Sequence, residues 1–152
     1  MKEKKYFVNN RKAFHNFEIL EKFEAGIALN GCEVKSIKNG KANLTDAFAK
    51  IFRNELWLMN CHIMPYFEGN ISNDEPLRNR KLLMHRREIN KLIGKTEEKG
   101  LTIIPLSMYL VMGKIKVELG LAKPKKLFDK REDLKKKAIK KEIEYEFKVR
   151  NL

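Results

Sequence analysis

Two pairs of strand-like runs in this chain are joined by only two residues each. Ala47 to Phe52 and Glu55 to Met59 flank Arg53-Asn54, while Thr102 to Val111 and Lys114 to Ala122 flank Met112-Gly113. A two-residue connection marks an antiparallel hairpin, because parallel neighbours need a crossover of a dozen or more residues. Within the last run Lys114, Ile115, Lys116, Val117, Glu118 and Leu119 alternate polar and apolar. That period sets one face of a strand on a core and the other in water. Pro105 falls inside the preceding run, which predicts a bulge or an edge position there.

The remaining elements read from spacing. Phe17, Ile19, Phe23, Ile27 and Leu29 are mostly two apart, which predicts a long strand with a bulge or bend at Gly26. Val34 and Ile37 predict a short helix over Glu33 to Lys38 that stops at Asn39-Gly40. Arg80 to Met84 reads as a strand, with Arg80, Leu82 and Met84 on one face and Lys81, Leu83 and His85 on the other. Arg86 to Lys99 reads as a helix with Ile89, Leu92 and Ile93 on one side and a stop at Gly100. Pro65 to Asn79 is rich in turn residues and predicts a long surface loop. About six short strands with two or three helices point to a mainly β fold, a small antiparallel barrel of the oligonucleotide-binding type. An α+β sandwich is the alternative. Residues 1–9 read as a mobile basic arm, 10–122 as the barrel domain and 123–152 as a basic tail.

Charge narrows the partners. Lys and Arg number 33 against 20 Asp and Glu, for a net charge of +13, and 43% of residues are hydrophobic. The composition is apolar enough to bury a core, and the charge is the footprint of a nucleic-acid binder, with an anionic membrane surface as the other common partner. No apolar run approaches the ~20 residues that span a bilayer. The first residues, Met1-Lys2-Glu3-Lys4-Lys5, lack the apolar core of a secretory signal, so the cytoplasm is the expected compartment and no membrane partner is expected. Cys32 and Cys61 are too few and too far apart for a disulfide framework and read as reduced, buried thiols. His15, His62 and His85 have no zinc spacing, so no metal or other cofactor is expected, and His62 reads as a packed structural histidine. No phosphate loop, serine elbow or paired-carboxylate motif is present, so no catalytic residue is assigned. Asp46 and Glu55 would make a nuclease-like acid pair only if the fold brought them together.

Three clusters carry binding chemistry. Asn10, Lys12 and His15 precede the first long strand and are placed to donate to phosphate, ribose or a base edge. Glu24, at the strand break, is suited to accept from base amino groups or 2′-hydroxyls, or else simply pairs with a nearby lysine. The run from Arg78 to Arg87 is the densest basic patch of the body. Its Arg78, Arg80 and Lys81 are assigned to phosphate, and the alternative is a solvated strand edge. The tail from Lys123 to Leu152 holds 12 basic and 6 acidic residues. Leu134, Ala138, Ile139, Ile143 and Phe147 have helical spacing, and so few apolar groups predict a segment disordered alone and helical when bound.

These residues also form longer motifs. Asn10-Arg11-Lys12-Ala13-Phe14-His15, the stretch from Phe23-Glu24-Ala25-Gly26 through Glu33-Val34-Lys35-Ser36-Ile37, Arg78-Asn79-Arg80-Lys81-Leu82-Leu83, and Asp129-Lys130-Arg131 resemble the SsrA-binding protein (small protein B) family. The likeness runs from Asn10 to about Lys136. It implies an oligonucleotide-binding-type barrel and a non-enzymatic, monomeric adaptor in trans-translation. Such a protein binds the tRNA-like domain of transfer-messenger RNA and accompanies it into a stalled ribosome. By position, Asn10, His15, Glu24 and Leu83 fall where the family contacts RNA. Lys35, within the Glu-Val-Lys-Ser motif, is assigned with them, and His85 stands at an RNA-contacting position whose identity varies. In the tail Lys123, Lys125, Lys126, Phe128, Asp129, Lys130, Arg131, Lys135 and Lys136 are expected to meet the small-subunit decoding site and the empty message channel. Pro124 replaces a glycine of the family pattern and Phe128 a tyrosine or histidine. A nonspecific single-stranded-RNA or RNA-chaperone barrel is the alternative function.

Overall fold

The structure is a computed structural model and describes residues 3–66 and 75–125. In chain order its elements are β1 (Lys5–Asn9), α1 (Arg11–Asn16), β2 (Phe17–Ile27), α2 (Gly31–Lys38), β3 (Ala42–Asn43), β4 (Phe48–Phe52), β5 (Glu55–Met59), β6 (His62–Ile63), β7 (Arg80–Leu83), α3 (Arg86–Lys99), β8 (Thr102–Val111) and β9 (Lys114–Pro124). The strands of the main sheet follow the order β1-β8-β4-β5-β7-β2-β9, and β8 also pairs with β9. That second pairing closes six antiparallel strands into a ring, the oligonucleotide-binding-like barrel, with β1 added outside on β8. The ribbon β3–β6 stands apart.

Both two-residue connections make the expected hairpins. Arg53 and Asn54 have φ of 51° and 62°, and Met112 and Gly113 have 51° and 76°. Two successive left-handed residues give the turn whose twist matches that of its strands. The bulges differ in part from expectation. The β8–β9 register shifts between Pro105 and Ser107, because proline cannot donate to the ladder. In β2, however, the shift lies between Ile19 and Glu21, and Gly26 pairs regularly with Leu83 and Lys116. A Cβ on Gly26 would lie 3.3 Å from Leu83 Cβ. Its role is therefore close approach rather than a bend.

The barrel interior holds Leu56, Leu58, Leu82, Ile103, Met108, Val117 and Leu119, all essentially inaccessible. A second small core of Ala13, Ile104, Leu106 and Ala122 lies under α1. Two cores on opposite faces explain why β8 is apolar almost throughout rather than alternating. Residues 5–9 correct the expectation of a mobile arm. They form β1, which pairs with β8 from Lys5↔Leu110 to Asn9↔Ser107 and buries only Val8. Backbone pairing holds that strand; its central Tyr6, Phe7 and Val8 are strand formers, masked in sequence by the basic residues before them.

One polar cluster fastens α2 to the barrel. Asn30 caps α2: its Oδ1 accepts from Glu33 N at 2.8 Å and its own N–H donates to Glu33 Oε1 at 3.1 Å, a capping box. Glu33 Oε2 also accepts from Arg80 Nε at 2.5 Å and Arg78 Nε at 3.1 Å, and Oε1 accepts from Arg78 as well. Arg80 spends its other donors on Cys61 O, Arg78 O and Pro76 O. Burial on its own would raise the Glu33 carboxyl, but the bonds from Arg78, the Asn30 backbone and Arg80 outweigh it and hold the group below its ordinary range. Cys32 and Cys61 are buried free thiols, and burial pushes Cys61 up to about 11.

Candidate nucleic-acid interface

The site begins where β7 meets β2. Only Gly26↔Leu83 and Ile27↔Leu82 pair there, and on the other side Gly26 pairs with Lys116 of β9. Alternation turns Arg80 and Leu82 inward, so Leu83 must point out, and it is 52% exposed. The chain then enters α3 through His85. This residue occupies the N-cap position without a side-chain cap bond, which leaves its imidazole exposed. Glu24, Gly26, Leu83, Met84, His85, Glu88 and Lys116 line an open concavity of about 550 Å³. A second hollow of about 320 Å³, reaching Val34, Lys38, Leu110 and Lys114, shares Gly26, Leu83 and Lys116 with the first. Together they form one groove of mixed lining, with Leu83 and Gly26 shared at its centre and Lys38, Lys114 and Lys116 along it. Among the described residues Lys38, Lys114 and Lys116 have no carboxylate partner. Such cations keep their charge available to phosphate.

Two acids line this groove, Glu88 at the start of α3 and Glu24 on β2, and Glu24 is the one held by a neighbour's hydroxyl. Its Oε2 accepts from the Tyr109 hydroxyl at 2.5 Å and lies 3.9 Å from Lys4 Nζ. Burial first, then the bond to Glu24, push the Tyr109 phenol far above its ordinary value, so it is a neutral donor at any physiological pH. Tyr6 and Lys4 close over the Tyr109 ring, at 5.2 Å between ring centroids and 4.9 Å from ammonium to centroid. Both come from the N-terminal segment that pairs with β8.

The structure thus joins Glu24, Leu83 and His85, three of the residues expected from sequence. It moves others elsewhere. Asn10 is 4% exposed, its Nδ2 donates to Leu44 O and Pro105 O, and its Oδ1 caps α1 by accepting from Ala13 N. Every polar atom of that side chain is used internally, so in this structure Asn10 acts as a buried cap and tie rather than an exposed donor. Arg80 is likewise turned inward, fully buried against Glu33. Arg78 is half-buried and spent largely on Glu33, and Lys81 pairs with Glu55 at 3.2 Å. The basic run is therefore mostly a brace. Lys35 is exposed on α2, with its ammonium 5.2 Å over the Tyr66 ring. His62 is exposed, not packed as the sequence suggested.

Lys12 and His15 lie at the far end of β2, where Phe17 pairs with Pro124. Gly26 is nine residues along that strand, on the order of 30 Å of contour. The same end bears the start of the tail: Lys123 is exposed, β9 continues two residues past Ala122, and Lys125 N donates to Asn16 O at 3.0 Å. Lys126, Phe128, Asp129, Lys130, Arg131, Lys135 and Lys136 lie outside the described residues. Sequence reasoning missed Lys38, Lys114, Lys116 and Tyr109. Lys114 and Lys116 had a signal, since they are the polar positions of the alternating strand. The Tyr109–Glu24 pair spans 85 positions and has none.

A closed six-strand barrel with a lysine-bearing groove at one end is a nucleic-acid-binding module of the oligonucleotide-binding type. The model of the family described as SmpB protein matches residues 7–149. The SsrA-binding protein of Carboxydothermus hydrogenoformans is 57% identical over 146 residues, covering 96% of this chain and 98% of its own. That of Geobacillus thermodenitrificans is 55% identical over 148 residues, covering 97% and 96%. A solved chain described as "tmRNA-SmpB: a journey to the center of the bacterial ribosome" superposes with a TM-score of 0.66. It is 51% identical, over 78% of this chain and 84% of that one. The chain belongs to the SmpB family.

Proposed function

We propose that this protein is an RNA-binding adaptor of trans-translation, a cytoplasmic binding protein rather than an enzyme. The groove takes the tRNA-like domain of transfer-messenger RNA, and the complex enters ribosomes stalled on a message without a stop codon. The observation that supports this reading is the meeting of Glu24, Leu83 and His85 in one hollow with Lys116, beside an adjoining hollow lined by Lys38 and Lys114. An acceptor, an apolar platform and phosphate-seeking cations are what a folded RNA with splayed bases requires. Family membership names the RNA: relatives at more than half identity over nearly the full length are SsrA-binding proteins.

The other end of the barrel has a separate task in this reading. Lys12, His15, Lys123 and Lys125 gather at the root of the tail, from which Phe128, Asp129, Lys130 and Arg131 would reach the decoding site and Lys135 and Lys136 the message channel. Because Lys125 is bonded to α1, the natural cut lies after Lys125 rather than after Ala122.

Competition tests the function. The full chain should hold transfer-messenger RNA in a gel shift against excess poly-U and release a control RNA of equal length. Release of both would make it a nonspecific RNA-binding barrel. A chain ending at Lys125 should retain that binding and fail to support peptide tagging in a reconstituted translation reaction.

A further inference from the structure

We propose that Tyr109 is a positioning residue for RNA recognition: its hydroxyl fixes one carboxylate oxygen of Glu24 so that the other is presented to the groove as an acceptor. The inference rests on the reading that the groove binds RNA, and it assigns a role to a residue that touches no RNA itself. Both internal partners of Glu24, the Tyr109 hydroxyl and the Lys4 ammonium, sit on Oε2. No described residue bonds Oε1. A glutamate on a strand has three rotatable bonds, and holding one oxygen at 2.5 Å removes most of that freedom before RNA arrives.

The neighbourhood is built to keep this bond. Tyr109 is fully buried, so its ring cannot swing away. Tyr6 lies against the ring at a tilt of 48°. A phenol donates one hydrogen, and an ionised carboxylate can only accept, so the pair has a single polarity. The acceptor left over suits the exocyclic amino group of a base or a 2′-hydroxyl, and it repels bare phosphate oxygens. Tyr109 thus favours recognition of a particular RNA over general attraction to a polyanion.

The experiment compares full-length variants by titration with transfer-messenger RNA and an equal-length control across a series of salt concentrations. Tyr109→Phe should weaken binding to transfer-messenger RNA by about fivefold, leave the control unchanged, and leave the salt slope unchanged because no phosphate contact is lost. In a Glu24→Gln background the same change should cost nothing further. Glu24→Asp keeps the charge but withdraws the carboxylate by one methylene, and should show a similar loss without touching the core. Wild-type affinity in Tyr109→Phe, or an equal loss with and without Glu24, would overturn the proposal. So would wild-type affinity in Glu24→Asp, which decides the matter even if Tyr109→Phe fails to fold. Wild-type affinity in Glu24→Gln would instead overturn the groove reading on which the proposal stands.

Discussion

Two glutamates, nine residues apart in sequence, show how the same chemistry serves opposite ends. Glu33 is 6% exposed, and both of its oxygens are occupied by two arginines and a backbone N–H. Glu24 sits at the groove with one oxygen held and the other open. Burial decides the difference. An enclosed carboxylate must be fully paired or its desolvation is not offset, whereas a half-exposed one can keep an acceptor for a ligand. The cations follow the same division: Arg78 and Arg80 brace Glu33, and Lys38, Lys114 and Lys116 stay available at the groove.

The largest effect that sharpens this contrast is at Glu33. Glu33→Gln leaves the Arg80 guanidinium buried without its counter-charge, and should lower unfolding stability by about 3–5 kcal/mol in chemical denaturation. RNA affinity of the fraction still folded should be near that of the wild type. A milder form of the same test is acidity. Glu33 has a folded value held below its unfolded value near 4.5, so its contribution is fully present above that pH. It is lost as pH falls through the folded value. Stability of the wild type should therefore drop more steeply below about pH 4.5 than that of Glu33→Gln, as read by denaturation midpoints across the acid range. Equal slopes would show that Glu33 is not the titrating brace.

The lysines extend the comparison to the RNA. Lys116→Ala should leave the melting temperature unchanged, weaken all RNAs alike and reduce the salt slope of binding by about 1. Arg80→Ala should do the reverse, losing stability with no change of slope once folded. A lower slope in Arg80→Ala would place that residue on the surface. The smallest effect is expected from Gly26→Ala. Its Cβ would crowd Leu83 Cβ at 3.3 Å, and Leu83 is the last residue of β7, where the strand end can give by a few tenths of an ångström. Affinity should fall by less than about threefold, measured in the same titration.

Much of this was legible in the sequence for a physical reason. Hairpins, the α3 stop at Gly100 and the two alternating faces of β7 are local consequences of spacing and turn chemistry, which sequence shows directly, although it left open which face of β7 is the core. Both faces of β7 carry leucine, so alternation alone did not turn Arg80 inward, and its charge drew it to the phosphate list. What closes the barrel was not legible: β8 pairs with β4, β9 and β1 at once, and no local pattern announces a strand with three neighbours. Six-residue α1 was hidden because it buries only Ala13. Asn10 was assigned to RNA because a polar residue before a strand looks exposed, while its actual partners lie 34 and 95 positions away. Long-range polar contacts decided what stayed hidden, as they did for Tyr109 and Glu24.

The central claim is that the groove at Glu24 is a recognition surface, and one substitution tests it most directly. Glu24→Ala removes a negative charge from a protein of net charge +13, so electrostatics by itself would tighten binding to any polyanion. The titration of this variant with transfer-messenger RNA and an equal-length control at one salt concentration separates the two effects. Loss of the carboxylate acceptor should weaken transfer-messenger RNA by about ten- to a hundredfold, while the control binds equally or slightly more tightly. Unchanged or tighter binding to both RNAs would contradict the account.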